Sequence, residues 1–293
     1  MNDPRLLLAI PVYNEERYVD KVLTEVRRYA EQTPFDVLVV DDGSTDGTPL
    51  RLARHPVEVI RHATNRGYGR SMQDMLRWAD FDAYDWLVTM DCDEQHEPAA
   101  LPSFVAAIRA AERGEHPADV VSGSRYLVAR DGDDSPPQDR RSINATITAE
   151  LNCRLGDLLM GPGVAMTDAF CGFKAYRVRA CGRLRLDVDG YDFPMQFWVQ
   201  AAAQRLAVRE IPVRLIYNDP TRTFGGPLND PQKRLAAYRR TLTRELRRCA
   251  DRLPSSALHR LDSICHDGSA TSIDPSVDAS AHPSVRSASA CGC

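Results

Sequence analysis

The chain has 293 residues, a formal net charge of −4 and 43% hydrophobic residues. That size suits one large α/β domain with a substantial core. The mildly acidic balance gives no footprint for nucleic acid, and no apolar run nears the roughly 20 residues of a membrane span.

In chain order, Leu6 to Ile10 forms the first strand signal, with Asn14 placed to cap a helix carrying Val19, Val22, Leu23 and Val26. Val37 to Val40 is a second strand, followed by a turn at Gly43, Ser44 and Gly47. Val57 to Ile60 is a short strand. Asn65-Arg66-Gly67-Tyr68-Gly69 is a glycine turn opening a helix through Met72, Met75 and Trp78. Trp86 to Met90 reads as a buried strand, Pro98 as the first turn of a helix carrying Leu101, Phe104, Val105 and Ile108, and Asp119 to Gly123 as a further strand. This alternation predicts a mostly parallel sheet flanked by helices, with ligands bound beyond the carboxyl ends of the strands. Pro11 to Glu15, Asp41-Asp42 and Asp91 to Gln95 fall at those ends and are expected to meet in space.

From residue 131 a polar, proline-broken loop leads to a helix over 142–159 with a stripe of Ile143, Ile147, Leu151, Leu155 and Leu158. A helix over 194–204, a strand over 208–217 and a basic helix over 231–253 follow. The alternation of elements and the composition shift after Pro254 place one domain over 1–253. The Ser-, Ala- and Asp-rich stretch 254–293 is expected to be a disordered tail.

The chemistry concentrates at strand ends. Asp91, Asp93 and Gln95 in Asp91-Cys92-Asp93-Glu94-Gln95-His96 offer oxygens suited to Mg²⁺ or Mn²⁺. Alternation at a strand end would aim all three to one side. Zinc is disfavoured, because Cys92 and His96 have no second Cys/His pair nearby. A solvated acidic loop capping the next helix would explain this motif if it stood alone. Asp41-Asp42 precedes a turn in which Thr45 or Asp46 caps a short helix, but that capping leaves the two acids themselves unexplained.

Taken together, these segments resemble family 2 glycosyltransferases. Ala9-Ile10-Pro11-Val12-Tyr13-Asn14-Glu15-Glu16, Val39-Val40-Asp41-Asp42-Gly43-Ser44 and Asn65-Arg66-Gly67-Tyr68-Gly69 resemble the three nucleotide-binding segments. Met90 to His96 resembles the metal motif of the dolichyl-phosphate mannose synthase branch. Gly123-Ser124-Arg125-Tyr126 and Asp168-Ala169-Phe170-Cys171-Gly172-Phe173-Lys174 resemble two later segments. The resemblance covers residues 6 to about 217 and implies a nucleotide-sugar-binding half over about 1–98 and an acceptor half over about 99–253. It implies a GT-A fold (a Rossmann-like, mostly parallel sheet) and an inverting, metal-dependent hexosyl transfer from a GDP- or UDP-sugar to an acceptor such as a polyprenyl phosphate.

By the same resemblance, Pro11, Tyr13, Glu15, Val40 and Asp42 contact the nucleotide. Asp91 and Cys92 lie along its ribose and diphosphate, and Asp93 and Gln95 ligate the metal. Arg125 faces the diphosphate or the acceptor phosphate, and Asp168 lies near the acceptor. Asp93, Asp168 and Arg125 are therefore the expected catalytic residues. With an anionic phosphate acceptor no strong base is needed, and Arg125, Arg140, Arg141 and Lys174 are the available cations. With a hydroxyl acceptor Asp168 becomes the base. The stretch Tyr217 to Gly226 departs from the branch pattern, leaving Arg222 as its one cation, expected on a phosphate.

No Q-x-x-R-W motif of processive synthases is present, so polymerisation is not expected. A non-catalytic nucleotide-sugar-binding protein is the alternative from another class, which intact Asp91 and Asp93 argue against. Helices 142–159 and 231–253 are amphipathic and are the expected sites of peripheral membrane contact. Met1 to Pro4 lacks the basic region and apolar core of an export signal. The scattered cysteines fit a reducing compartment. A cytoplasmic protein, peripheral at the cytoplasmic membrane face, is the expectation.

Overall fold

The computed structural model describes residues 3–259 apart from 31, 32, 34, 130, 131 and 220–222. Seven strands form one sheet: β1 (Leu6–Val12), β2 (Phe35–Asp41), β3 (Glu58–Arg61), β4 (Trp86–Thr89), β5 (Val120–Ser124), β6 (Lys174–Arg177) and β7 (Val208–Pro212), in the order β3-β2-β1-β4-β6-β5-β7. Only β6 runs against its neighbours. The mostly parallel sheet expected from the βαβ alternation is therefore observed, and β1, β2, β4 and β5 end at one edge. The helices are α1 (Val19–Ala30), α2 (Thr48–Leu52), α3 (Tyr68–Phe81), α4 (Leu101–Glu112), α5 (Gln138–Leu159), α6 (Val178–Cys181), α7 (Phe193–Ala203) and α8 (Pro231–Arg248).

The period-2 alternation of each strand feeds two cores. On one face Leu7, Ala9, Leu38, Val40 and Leu87 meet α3, α5, α7 and α8. On the other Leu8, Ile10, Val39 and Val88 meet α1 and α4. Both faces are covered, which is why these strands read as continuous apolar runs.

Several boundaries differ from the sequence expectation. Asn14 does not cap α1. It takes a left-handed conformation (φ 56°), and its side chain accepts from the Thr45 backbone N–H at 2.8 Å, tying the β1 loop to the β2 loop. The helix expected from 142 begins at Gln138, one turn earlier, where polar residues give no apolar signal. The strand expected to reach 217 stops at Pro212. Beyond it the Leu215 and Tyr217 N–H groups donate to the Asp133 and Asp134 carboxylates, at 3.2 and 2.6 Å. β6 was not anticipated.

The expected membrane-facing stripes point inward. Ile147, Leu151 and Leu155 on α5 and Leu242 and Leu246 on α8 are at most 1% exposed, inside the core. Their periodicity records packing against α7, so these apolar faces offer nothing to a bilayer. Of the α8 cations, Arg239 pairs with Glu150, and Arg244 and Arg248 flank the buried Glu245. Past Pro254, where composition places the start of a disordered tail, Ser255–Leu258 form a 3₁₀ turn. Arg154 Nη1 donates to the Ala257 carbonyl at 2.8 Å, and Ala257 is buried. Residues 260–293, with Cys265, Cys291 and Cys293, lie outside the described residues.

Truncating Leu151 to Ala is expected to cost about 2–5 kcal/mol, as for a fully packed leucine, read by urea denaturation. A loss near zero would mean that the stripe is not core.

Candidate active site

The acidic loop after β4 is shaped by three contacts. The Asp91 N–H donates to His96 Nδ1 at 2.9 Å, the Gln95 N–H donates to Asp93 Oδ1 at 3.1 Å, and Glu94, at φ 60°, pairs with Lys21 on α1. The chain here is a series of bends, so strand alternation is not what orients it. The result is nonetheless the expected one: Asp91, Cys92, Asp93 and Gln95 line a single cavity of about 820 Å³. His96 is buried, and that desolvation lowers its pKa to about 4. A neutral ring accepting at Nδ1 braces the loop and is not placed as a zinc ligand. Gly172 passes so close that a Cβ there would sit 2.7 Å from Asp91 Oδ2.

Pro11, Tyr13, Glu15 and Asp42 line the same cavity, joined by Asn65, Gly67 and Tyr68. Acidic groups from three separate strand ends therefore do converge. Asp42 has a second task. Its carboxylate accepts from the Arg66 and Gly67 N–H groups, both at 2.8 Å, and contacts His62 Nδ1 at 2.6 Å. It thus fixes the turn that starts α3, where Gly67 (φ 100°) fits beneath the Asp189 carbonyl. Asp41 is wholly buried outside the cavity lining, accepting from the Ser44 N–H and pairing with Arg61. Val40 is not in the lining either; its side chain is in the core, fully buried. Arg222 lies outside the described residues.

The other half of the cavity is cationic and aromatic. Arg125, directly after β5, forms a bidentate pair with Asp168 (2.7 and 3.0 Å). Asp168 also accepts from Asn144 Nδ2 at 2.8 Å and from the Phe170 and Cys171 N–H groups, both at 3.1 Å. Burial pushes the Asp168 pKa up, but the Arg125 charge and these donors outweigh it, leaving a value of about 2. The Arg125 guanidinium is held charged by the same pair, its pKa raised despite burial. This carboxylate is absent from the cavity lining and is held as the bidentate partner of Arg125.

Arg140 stacks on Tyr217 and Phe224, with its guanidinium 5.2 and 4.8 Å from the ring centres, and Arg234 lies 4.5 Å from Phe224. Lys174 Nζ donates to the Cys171 carbonyl and lies 5.3 Å over Trp198. All of these residues line the cavity. Arg234 belongs to the basic periodicity of α8 and so reads from sequence as a solvated cation. At 2% exposure it is an interior one. Nothing local in the sequence marks Phe224 as its neighbour.

Two carboxylates and an amide oxygen on one wall are hard donors. Among the described residues no three His, Cys, Asp or Glu side chains gather into an all-protein metal cage. The donor set therefore suits a cation that shares its coordination with a diphosphate.

This sheet, with acidic loops at its carboxyl edge and a cavity between two chemically distinct halves, defines a glycosyltransferase of the GT-A fold. A solved structure with the same architecture is glucosyl-3-phosphoglycerate synthase from Mycobacterium tuberculosis in complex with Mn²⁺, uridine diphosphate and phosphoglyceric acid. It matches with a TM-score of 0.59 and 18% identity over 86% of this chain and 80% of that one. Residues 8–185 match the model for glycosyl transferase family 2, and the chain belongs to that family. It is 30% identical over 222 residues to the undecaprenyl-phosphate mannosyltransferase of Micrococcus luteus, covering 72% of this chain and 84% of that one. It is also 30% identical over 218 residues to the polyprenol monophosphomannose synthase of Mycolicibacterium smegmatis, covering 71% and 76%. The similarity places it in the dolichyl-phosphate mannose synthase-like branch.

Asp168→Asn is expected to lower stability at neutral pH. The depressed pKa gives a contribution that is complete above about pH 4, the unfolded carboxylate value, and is lost as pH falls through about 2. The stability gap between variant and wild type, followed by urea titration, should therefore narrow below pH 4. A gap that stays constant down to pH 2.5 would contradict the ion-pair account.

Proposed function

We propose that this glycosyltransferase moves a sugar, with inversion, from a nucleoside diphosphate to a polyprenyl-type phosphate. The observation that carries the choice of acceptor is the state of Asp168. The acidic side chain that a hydroxyl acceptor would need as its base is spent on Arg125, while Arg125, Arg140, Arg234 and Lys174 line the cavity. A phosphate acceptor is already an anion and needs cations to position it, not a base. The names of the two bacterial relatives support the same acceptor class.

In this reading Pro11, Tyr13, Glu15 and Asp42 form the nucleotide wall, and Asp91 with Cys92 follows the ribose and diphosphate. Asp91, Asp93 and Gln95 would hold Mg²⁺ or Mn²⁺, which when bound offsets the charge developing on the departing diphosphate. A phosphate oxygen of the acceptor attacks the anomeric carbon. The bond from that carbon to the diphosphate breaks, its electron pair leaves with the nucleoside diphosphate, and no proton changes hands. Arg125, fixed by two hydrogen bonds to Asp168, holds the phosphate in line with the sugar. The transferase unit extends through the packed turn at 255–258.

Purified protein with UDP- and GDP-sugars and Mn²⁺ should glycosylate a polyprenyl phosphate and leave the matching polyprenol untouched. Transfer to the alcohol at a comparable rate would refute the phosphate reading. Asp93→Ala should lower the rate by on the order of 10²–10³, as removal of an electrostatic stabiliser does, with an unchanged circular dichroism spectrum. Wild-type turnover in that variant would remove Asp93 from the mechanism.

A further inference from the structure

His62 follows β3 directly and is buried, outside the cavity lining. Its backbone N–H donates to the Asp41 carbonyl at 2.9 Å, which fixes where the side chain starts. Its two ring nitrogens face two carboxylates: Nδ1 lies 2.6 Å from Asp42 Oδ1, and Nε2 lies 3.0 Å from Asp74 Oδ2. Asp74 is held in turn by Arg70 Nε at 3.0 Å and Arg77 Nη1 at 2.8 Å, all three on α3. The ring is thus clamped between α3 and one oxygen of the nucleotide wall.

That clamp limits what Asp42 can still accept. An ionised carboxylate has two oxygens with about four lone-pair sites and no hydrogen to donate, so the hydrogen of the His62–Asp42 contact is on Nδ1. Oδ1 accepts from His62 Nδ1 and from the Arg66 N–H at 2.8 Å, which takes both of its sites. Oδ2 accepts from the Gly67 N–H at 2.8 Å and from no other donor among the described residues. Asp42 is 4% exposed and lines the cavity, so a ligand there meets a carboxylate with a single site left.

Nucleobases differ at the edge such a carboxylate reads. Guanine presents two N–H donors side by side, on N1 and on the exocyclic N2, and a carboxylate satisfies them with both oxygens. Uracil and thymine present one, the N3–H between two carbonyls. Adenine and cytosine place a ring-nitrogen lone pair there, which a carboxylate repels. One site on one oxygen matches the pyrimidinediones, whereas guanine would be left with an N–H that has lost water and gained no partner.

We propose that His62 is a positioning residue that sets base selectivity: by holding Oδ1 of Asp42 it leaves the wall one acceptor, and the sugar donor is a uridine or thymidine diphosphate, not a guanosine diphosphate. The proposal rests on the nucleotide-wall reading above and is independent of the acceptor.

The test is titration calorimetry of the full chain with UDP, dTDP and GDP, each with Mn²⁺ and no acceptor. Wild type should bind the better of UDP and dTDP about tenfold or more tighter than GDP, and the two pyrimidine arms tell uridine from thymidine. The amide nitrogens of Asn and Gln fall near Nδ1 and Nε2 of a histidine. His62→Asn therefore keeps a donor on Oδ1 and should keep the preference. His62→Gln keeps the Asp74 side, frees Oδ1, and should bring the ratio to within about threefold. A merely structural role would weaken all three nucleotides together and leave their ratio fixed. GDP binding as tight as that of UDP and dTDP in wild type, or a ratio unchanged in His62→Gln, overturns the inference, and the wild-type comparison needs no variant to fold. Binding of none of the three refutes the nucleotide-wall reading and the inference with it, whereas a failure of transfer to polyprenyl phosphate touches the acceptor reading alone.

Discussion

The carboxyl edge shared by β1, β2, β4 and β5 is the constraint on which everything else rests. Parallel strands deliver their following loops to one side, so segments separated by tens of residues arrive together without long connections. Glu15, Asp42, Asp91 and Asp93 reach one cavity for that reason alone. The reversed strand β6 completes the arrangement from the opposite direction. Because it runs the other way, the loop that precedes it, from Asp168 to Phe173, meets the same edge. Thr89 at the end of β4 donates to the Gly172 carbonyl at 2.7 Å, so the acidic loop after β4 and the loop before β6 are joined where the two strand directions meet.

Charge is divided across the cavity. One wall carries carboxylates that would repel a diphosphate unless a cation sits between them. The other carries guanidinium groups whose geometry is set by neighbours: Asp168 for Arg125, aromatic rings for Arg140 and Arg234. Removing one partner of a buried pair leaves an uncompensated charge, which is far costlier than losing an exposed pair. Asp168 and Arg125 are therefore structurally as well as chemically coupled, and the short Ser124–Thr167 bond keeps their backbones in step.

Much of this was legible before any coordinates. The strand signals at Leu6, Val37 and Trp86 fall within two residues of β1, β2 and β4, because the inner part of each is buried on both faces and carries an apolar run; β3, an exposed edge strand, shows only as a short signal one residue out of register. The acidic strand ends were visible for the same reason, standing where such runs stop. The misses have identifiable causes. β6 has the sequence Lys174-Ala175-Tyr176-Arg177, too polar to signal a central strand; the Lys174 and Arg177 side chains are satisfied by a carbonyl and by Glu112. The stripes of α5 and α8 showed that each helix has an apolar face, but periodicity does not tell a protein neighbour from a lipid one. The tie of Asp168 to Arg125 and Asn144 was not legible either, because both partners lie over twenty residues away in the chain. The roles of Val40, a core side chain, and Asn14, a tie between two loops, also depend on neighbours that local pattern does not name.

Where Gly172 skims past Asp91, the absence of a side chain carries as much weight as the presence of the acids. A methyl group at that spot would meet Asp91 Oδ2 at 2.7 Å, and because that oxygen is the far end of a side chain, the carboxylate would turn aside rather than the backbone shift. The bare backbone of Gly172 thus leaves the Asp91 carboxylate room to keep its aim, and Gly172→Ala would act on the direction of that acid rather than on the packing of the fold.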